Sequence, residues 1–385
     1  MRHKKVKNLK FLRNIIICIT SLLIVEFIVN TAPGYKIDKY KDRINLIINE
    51  ENRTEDLKHD IYINEKGTIY ISEEDVKNLF DATIYHDQKY NQIITTSNTK
   101  VANIVIDEKQ MIVNNSIVSM LDSIIKIDNN IYLPISDMSI VYNINIKYIK
   151  NTNKVIIDEL DKGMINAKVT KESNIKFRPR ALSKNIGILK QGETVSCFYI
   201  TSKGWRQIRT SDGTIGYIKN DKLTAEYIVR QDMIQQKEAV KIEKSMYIKD
   251  SFNISDGKEI KTVILNSIFN INNGNVTVSQ NKGDIEDSNK LWACVSNKSV
   301  EMQTNSLLQD YKTRTKLIDE IISNLIQNDI NGLSIEFSQI DKENIIRFVI
   351  ELTPKLKEIG ITTCIVLDSN MEKQDYINIV DYIVE

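Results

Sequence analysis

Residues 331–340, NGLSIEFSQI, contain side chains whose types and spacing could do chemistry. Apolar residues alternate there with Ser334, Glu336 and Ser338, which is the period of a half-buried β-strand. Alternate side chains of a strand point to one face, so these three polar groups should form a row. A carboxylate in such a row can exchange a proton with a ligand or accept its hydrogen bonds. The sequence therefore predicts a polar site along this strand.

The surrounding residues alternate between strand and helix patterns from about residue 238, which is typical of a parallel β/α architecture. Strands are predicted at 240–248, 259–269, 290–297, 332–340, 361–368 and 381–385. Amphipathic helices are predicted at 308–329 and 343–360. We expect Gly360 to occupy the C′ position of the second helix and Pro354 to kink it.

The order and content of these elements resemble glycoside hydrolase family 18, the chitinase-like barrels, and especially its cell-wall and spore branch. KLWACVSN is similar to the family's third strand, and NGLSIEFSQI is similar to its signature strand, Asp-Gly-x-x-Ile-Asp-Phe/Trp-Glu. The resemblance covers residues 238–385 and implies a (β/α)8 TIM barrel. A full barrel needs about 250 residues, and this region reaches only a sixth strand. The expected fold is a partial barrel.

The resemblance also implies roles for individual residues. Ser334, Glu336 and Ser338 fall on the family's Asp, Asp and Glu, and Asn331 falls on its first Asp. In the family the Glu protonates the leaving oxygen, while the substrate's own N-acetyl group acts as nucleophile. A serine hydroxyl at position 338 cannot donate that proton. We therefore expect a catalytically impaired protein that binds N-acetylglucosamine glycans, with Asn331, Ser334 and Asn297 as candidate ligand-binding residues.

In an alternative alignment the signature is shifted by two residues, so that Glu336 becomes the acid and the protein is an active enzyme. Two strand residues span about 6.6 Å, which would place Glu336 one layer below the leaving oxygen. An active endo-N-acetylglucosaminidase using Glu336 stays open beside the impaired wall-binding protein. A surface protein with unrelated modules is a third possibility, because a fold does not imply a function.

The N-terminus has a basic segment, residues 1–13, followed by an apolar run at 15–29. This pattern predicts an uncleaved membrane anchor at 11–30, within a first segment of 1–32, with the basic side in the cytoplasm. A cleaved signal peptide is the alternative. The expected protein is single-pass in the cell membrane, with a polar stalk at 33–57 and the bulk of the chain outside.

Residues 67–97 align without gaps with residues 129–159, and each copy has the pattern strand, short helix, strand, turn, strand. The turns QKYNQ and KNTNK are rich in Asn, which tolerates the positive φ of a hairpin. The repeat resembles the copper-amine-oxidase N-terminal-like domain of bacterial surface proteins, and predicts an α+β module at 58–160. That module carries no copper site of its own, and His86 lacks a second nearby histidine. No metal and no other cofactor is expected.

Residues 164–224 contain regular short strand patterns with turn signals at KQGE, SKGW and SDGTIG. They predict a small all-β barrel and resemble the bacterial SH3-like domain of cell-wall proteins. The resemblance implies a wall-peptide binder or a spacer. Trp205 and Tyr217 are candidate ligand platforms, although tryptophan is more often a core residue.

Composition limits the classes of function that remain. A net charge of +1 gives no indication of nucleic-acid binding. The four cysteines have neither CxxC nor Cys/His spacing, so neither a zinc site nor a disulfide framework is indicated. At 385 residues the chain should be multidomain. The expected partners are the membrane and a cell-wall glycan or wall peptide.

Overall fold

The fold is described from a computed structural model covering residues 19–24, 42–162, 164–202, 204–226, 239–242, 251–255, 260–272, 274–280, 290–298 and 300–385. The chain is multidomain and mostly β, with a few helices. It divides into two compact units, one formed by 1–61 with 144–233 and the other by 62–143 with 234–385. This division cuts through the predicted 58–160 module, so the predicted module boundaries stay a prediction.

The described residues from 42 to 162 form short strands and two short α-helices. In chain order these are β1 (Asn45–Ile48), β2 (Glu51–Asn52), β3 (Tyr62–Ile63), β4 (Ile69–Ser72), α1 (Glu73–Leu79), β5 (Tyr85–Asp87), β6 (Gln92–Thr96), β7 (Val101–Val105), β8 (Gln110–Val113), β9 (Ser116–Ser119), β10 (Ile125–Ile127), β11 (Asn130–Pro134), α2 (Ser139–Tyr142), β12 (Ile144–Ile149) and β13 (Lys154–Glu159).

The two predicted repeats have the same order of elements, β4-α1-β5-β6 and β11-α2-β12-β13. Asn91 and Asn153 adopt φ values of 48° and 52° in the two hairpin turns, which confirms the turn prediction. The Ser72 Oγ caps α1 by accepting a hydrogen bond from the Asp75 backbone N–H at 3.1 Å. The chain divides within the second repeat because β13 pairs in parallel with β1 and antiparallel with β12.

Residues 164–226 form an antiparallel sheet of seven strands. These are β14 (Ile165–Val169), β15 (Ser173–Lys176), β16 (Asn185–Leu189), β17 (Thr194–Ser202), β18 (Trp205–Arg209), β19 (Ile215–Lys219) and β20 (Leu223–Glu226), in the order β16-β15-β19-β18-β17-β14-β20. Gly192, Gly204 and Gly213 have φ between 78° and 87°. They lie in the three turns predicted from KQGE, SKGW and SDGTIG, where glycine allows this conformation. The SH3-like assignment itself stays a prediction.

The described residues from 239 to 385 form an eight-stranded sheet and three α-helices. These are β21 (Val240–Ile242), β22 (Ser251–Ser255), β23 (Ile260–Asn272), β24 (Asn275–Gln280), β25 (Lys290–Ser296), α3 (Glu301–Gln309), α4 (Tyr311–Gln327), β26 (Gly332–Glu336), α5 (Lys342–Glu358), β27 (Thr362–Val366) and β28 (Tyr382–Val384). The sheet has the order β21-β28-β27-β26-β25-β23-β22, and β24 also pairs with β23. Strands are present at all six predicted positions. Residues 243–248 of the first lie outside the described residues, and the strand predicted at 332–340 ends at Glu336, so that Ser338 is not part of it.

Two features of this sheet differ from the predicted alternation of strand and helix. β24 follows β23 in the chain and pairs with it antiparallel, and β22 is also antiparallel to β23. β21 pairs in parallel with β28 and not with β23. Because β22 and β24 both hydrogen-bond to β23, they fill the edge at which a first barrel strand would pair.

The predicted helix 308–329 is in fact two helices that meet at Asp310. The Asp310 Oδ1 accepts hydrogen bonds from the Lys312 and Thr313 backbone N–H groups at 3.1 and 3.2 Å, and so starts α4. α5 runs through Pro354 to Glu358. Gly360 follows with φ 75°, which confirms its predicted role at the helix end.

A hydrogen-bonded ion pair inside the second unit joins residues 62–143 to the helices. The Arg314 Nε and Nη2 donate to the two carboxylate oxygens of Glu351 at 3.0 and 2.9 Å. The Tyr85 hydroxyl accepts from Arg314 Nη2 at 2.6 Å and donates to Glu351 Oε1 at 2.7 Å. Arg314 and Glu351 are 1% and 2% exposed, so Tyr85 completes the hydrogen bonding of a buried charge pair. Sequence patterns did not predict this network.

Polar contacts surround that network and extend the attachment of residues 62–143 to α4 and α5. The pairs are Lys89–Asp310, Tyr90–Asp310, Lys100–Glu358, Asn114–Glu358, Asn115–Asp319 and Lys355–Asn115. The ring of Tyr85 lies 4.1 Å from the guanidinium carbon of Arg347. Within this unit the β-hairpins of residues 85–119 thus pack on the outer helices of the parallel sheet.

The predicted anchor at 11–30 lies for the most part outside the described residues. Residues 19–24 are helical. In the part of the chain that the structure describes, no helix is long and apolar enough to cross a membrane. The anchor stays a prediction.

Candidate functional site

The polar row of β26 lies on the sheet face opposite the helices. Leu333 and Ile335 are fully buried in the cluster that includes the helix residues. Ser334 and Glu336 alternate with them and therefore point to the other side, which we call the inner face. The carboxyl ends of parallel strands are the usual position of ligand sites in such sheets.

The strand register arranges the inner face into two rows. The lower row consists of Ser279, Ile268, Cys294, Ser334 and Cys364 on β24, β23, β25, β26 and β27. The upper row, nearer the carboxyl ends of the parallel strands, consists of Thr277, Asn270, Ser296 and Glu336. Sequence analysis identified only the β26 members. The Asn-Gly pair at 273–274, a strong hairpin signal, could have revealed β24.

Two buried thiols, those of Cys294 and Cys364, lie near Glu336. Burial raises the pKa of the Cys294 thiol, and the charge and hydrogen bond of the neighbouring Glu336 carboxylate raise it further. Burial also raises the pKa of Cys364, with the Glu336 charge adding to the effect. Both thiols stay protonated at neutral pH, so neither is a nucleophile there. Glu336 is half-buried and is the one carboxylate among the residues of the two rows.

Ser338 lies two residues beyond the end of β26 and is held by Asn297. The Asn297 Oδ1 accepts a hydrogen bond from the Ser338 backbone N–H, and its Nδ2 donates to the Ser338 carbonyl, both at 2.9 Å. The Asn297 side chain is completely buried. The structure therefore brings two predicted site residues together, but it gives Asn297 a positioning role for the chain after β26.

The segment after Ser338 is also tied to the neighbouring loop. The Gln339 backbone N–H donates to Asp368 Oδ2 at 3.0 Å, and Asn370 Nδ2 donates to the Ile340 carbonyl at 2.6 Å. Gln339 has φ 53°, an uncommon value for a residue other than glycine. Side chains that follow β25 and β27 thus hold the chain after β26 on both sides.

Asn331 lies at the amino end of β26, away from Glu336. Its backbone N–H donates to the Leu291 carbonyl at 2.9 Å, and its carbonyl accepts from the Thr362 N–H at 3.0 Å. It is five residue steps along the strand from Glu336, which corresponds to about 16 Å. The structure does not bring Asn331 to the carboxyl-end site.

Trp292 occupies the base of the inner face and was not a predicted site residue. It is fully buried, and it faces Gly332 in the register between β25 and β26. A Cβ on Gly332 would lie 2.1 Å from the Trp292 ring. The indole therefore requires glycine at position 332 and closes the site from below.

Trp205 and Tyr217 belong to the other compact unit and are described there alone. Trp205 is 9% exposed, and Tyr217 is half-buried. Trp205 pairs across the strands with Lys219, whose Nζ is 5.9 Å from the ring centroid. Trp205 and Ile208 are three positions apart on β18, so their side chains point to opposite faces of the sheet. Ile208 belongs to the core cluster of this region. The ring thus lies on the face opposite that core, and it is nevertheless largely covered.

The possible metal ligands of the described residues are not clustered. Among those residues, no group of three or more His, Cys, Asp or Glu side chains could hold a metal ion. Cys197, Cys294 and Cys364 are buried free thiols, whereas Cys18 lies outside the described residues. These residues do not fit a copper centre.

The copper amine oxidase N-terminal domain family matches residues 48–157 of this chain. This confirms the resemblance that the sequence repeat suggested. The match covers less than half of the chain and so characterises that region alone. No curated protein matches the chain.

Several solved structures share a partial likeness with the chain. One is ydhD of Bacillus subtilis, described as a sporulation-specific glycosylase, with 16% identity, TM-score 0.29, and coverage of 35% of this chain and 52% of that one. Another is the spore cortex-lytic enzyme SleL of Bacillus megaterium, with 12% identity, TM-score 0.26, and coverage of 30% and 32%. A third is a chitinase of Rhizomucor miehei, with 13% identity, TM-score 0.26, and coverage of 39% and 56%. The chain thus spans about a third to just over a half of these proteins, and at such TM-scores the likenesses carry no argument.

Proposed function

We propose that this chain is an extracytoplasmic cell-wall protein of the glycoside hydrolase family 18 type, which binds N-acetylglucosamine-containing glycan and does not cleave it. The similarity of residues 238–385 to that family supports the glycan class. The half-buried carboxylate of Glu336, at the carboxyl end of a parallel sheet, supports the position of the site.

The observation that carries the loss of catalysis is the identity of the residue after the strand. Ser338 occupies the family's acid position, and the Asn297 side chain holds its backbone. The pKa of a serine hydroxyl is far above neutral pH, so it does not transfer its proton to the leaving oxygen, and a general-acid contribution of about 10²–10⁴-fold is absent. Glu336 lies within β26, one layer below, and beside the Cys294 thiol.

The second candidate function is an active wall hydrolase that uses Glu336 as its acid. The observation in its favour is that Glu336 is a half-buried carboxylate on the inner face, beside the Cys294 thiol. Its position argues against it, because Glu336 lies within β26, whereas Ser338 at the acid position lies two residues beyond the end of the strand.

The experiment measures reducing ends released from chitin oligomers and purified peptidoglycan, together with the affinity for the same oligomers. We expect binding without turnover in the unsubstituted chain, reduced binding in Glu336→Gln, and measurable turnover in Ser338→Glu, which restores a carboxylate at the acid position. Ser338→Gln is the matched control, since it adds the same bulk without an acid. Turnover by the unsubstituted chain that is lost in Glu336→Gln would establish the hydrolase instead.

The proposal places the protein in the cell membrane through residues 11–30, with the later residues outside. The basic residues before the apolar run support this orientation. Protease added to intact protoplasts should digest the residues that follow the anchor, and protection of those residues would refute the orientation. The SH3-like region at 164–224 would bind wall peptide or act as a spacer, and pull-down of muropeptides by that region distinguishes the two.

A further inference from the structure

Residues 164–226 differ in charge from the rest of the chain. They contain 12 Lys or Arg and 5 Asp or Glu, a net charge of +7, although the whole chain carries only +1. Residues 173–192, which we call the basic hairpin, comprise β15, β16 and the residues between and just after them. The basic hairpin has no carboxylate side chain and five cationic ones, which are Lys176, Arg178, Arg180, Lys184 and Lys190. Such an excess of one sign of charge attracts a surface of the opposite sign.

The basic hairpin also presents exposed apolar side chains. Leu182 is 74% exposed and Ile188 is 64% exposed, the two highest values for large apolar residues among the described residues from 144 to 226. Leu182 belongs to the tip of the hairpin, residues 177–184, and Ile188 lies on β16, an end strand of its sheet. Single exposed apolar side chains are common on soluble proteins. Two of them among five cations combine the interactions by which a segment binds a bilayer interface, apolar burial and attraction to anionic lipids.

Hydrogen bonds hold the tip of the basic hairpin in a defined shape. The Phe177 backbone N–H donates to the Lys184 carbonyl at 2.9 Å and closes the loop. Ser183 is 3% exposed, and its Oγ accepts from the Arg178 backbone N–H at 2.9 Å. Burial of Ser183 leaves the adjacent side chain of Leu182 in solvent. Docking therefore orders little further backbone, which favours binding through this side chain.

Charge and exposed apolar surface together favour a bilayer among the possible anionic partners. A soluble polyanion would be attracted by the cations, but it would give Leu182 no role. A surface of anionic lipids satisfies both, because its phosphates attract Lys and Arg and its acyl boundary accepts an apolar side chain.

We propose that the basic hairpin docks on a bilayer surface that contains anionic lipids. Leu182 inserts at the level of the headgroups, the cations of the hairpin contact lipid phosphates, and Ile188 continues the apolar contact along β16. This inference is independent of the proposed function, because no glycan takes part in it. It gives residues 164–226 a role at the membrane surface beyond that of a spacer.

The test is hydrogen exchange, followed by mass spectrometry, of the full chain in lipid nanodiscs. Discs of phosphatidylcholine alone are compared with discs that also contain phosphatidylglycerol, so that the predicted anchor at 11–30 is common to both. We expect the amides of residues 177–184 to exchange more slowly in the anionic discs. This protection should be lost as salt rises from about 0.1 M to about 1 M, which shortens the screening length from about 10 Å to about 3 Å. Residues 210–214, a turn of the same sheet, provide the internal reference.

Two variants measure the two contributions separately. Lys184→Gln should lower the equilibrium constant for docking about fivefold, the effect of one cation at an anionic surface. Leu182→Gln should lower it about tenfold, because the side chain no longer gains from apolar burial. The matched controls are Lys150→Gln and Leu160→Gln, which change exposed residues of the same compact unit outside the hairpin. Both controls should leave the protection unchanged.

Equal exchange of residues 177–184 in the two kinds of disc would refute the docking. Protection that Leu182→Gln leaves unchanged would also refute it, because the contact would then be electrostatic alone. Soluble polyphosphate is the third arm: if it protects these residues and the anionic discs do not, the hairpin binds a soluble polyanion and not a bilayer. Unchanged exchange of residues 210–214 verifies that each variant is folded. Glycan binding is measured in neither kind of disc, so failure of this inference leaves the proposed function standing.

Discussion

The contact between Tyr85 and the buried Arg314–Glu351 pair makes a quantitative prediction. Tyr85 belongs to the β-hairpins of residues 85–119, whereas its partners lie on α4 and α5. Tyr85→Phe keeps the ring and removes only the hydroxyl. If this contact couples the two segments, the substitution must destabilise the parallel sheet and its helices as well as the hairpins.

The size of the effect follows from the bonds that are lost and kept. The hydroxyl makes one bond to each member of the ion pair, and a hydrogen bond to a charged group contributes about 1.5–3 kcal/mol. Arg314 and Glu351 remain bonded to each other through two contacts, so neither charge is left unpaired. We expect Tyr85→Phe to lower the free energy of unfolding by about 1.5–3 kcal/mol. Glu351→Ala, which leaves the Arg314 guanidinium unpaired, should cost about 3–5 kcal/mol.

The two tryptophans provide the assay, because each compact unit contains one of them. In a Trp205→Phe background, urea unfolding followed by fluorescence reports on Trp292 alone, and Trp292 lies in the parallel sheet. Tyr62→Phe is the matched control, since this ring is 42% exposed. It should change the free energy of unfolding by less than about 0.5 kcal/mol.

The reasoning fails if Tyr85→Phe leaves the Trp292 transition at the midpoint of the control. That result would mean that residues 62–143 unfold independently of the sheet. A changed slope with denaturant and an unchanged midpoint would likewise contradict the coupling, because it indicates altered exposure on unfolding and not lost stability.

Three further predictions concern the same unit. Gly332→Ala should destabilise it by about 1–3 kcal/mol or more, because the new methyl group overlaps the Trp292 ring; chemical unfolding measures this, and an unchanged midpoint would contradict it. Asn297→Ala should cost about 1–3 kcal/mol, since two backbone groups after β26 lose their partners. An unfolding curve equal to that of the unsubstituted chain would show that water replaces the amide. The hydrogen bond from Lys89 lowers the pKa of Asp310 to about 2. Its stabilising effect is therefore present above an unfolded-state pKa of about 3.9 and is lost as pH falls through about 2. Asp310→Asn should flatten the pH dependence of stability in that window, and an unchanged slope would refute this.

Local sequence patterns predicted much of the secondary structure. The Asn-rich turns at Asn91 and Asn153, the glycine turns of residues 164–224 and the helix end at Gly360 are present as expected. These features depend on the φ preference of one residue and on its immediate neighbours, so they can be inferred without the fold. The alternation in β26 likewise predicted that Ser334 and Glu336 share a face.

Pairing between distant segments was decided by the tertiary structure. The alternation pattern could not indicate that β24 would pair with β23, or that β21 would lie beside β28. Periodicity gives the faces of a strand but not its neighbours, because the competing pairings differ only in packing and register. The polar row through Asn270 and Thr277 exists only in that register.

The roles of individual polar side chains divide in the same way. The residue type at Ser338 was sufficient to predict that this side chain is not a general acid, because a hydroxyl lacks the required pKa in any fold. The amide of Asn297 could bind a ligand or the backbone, and the structure places it on the backbone of Ser338. The buried pair of Arg314 and Glu351 gives no local signal, since its hydrogen bonds with Tyr85 form only when segments far apart in sequence pack together. Chemistry that belongs to one side chain was determined by the sequence, whereas chemistry that requires a partner was decided by the tertiary structure.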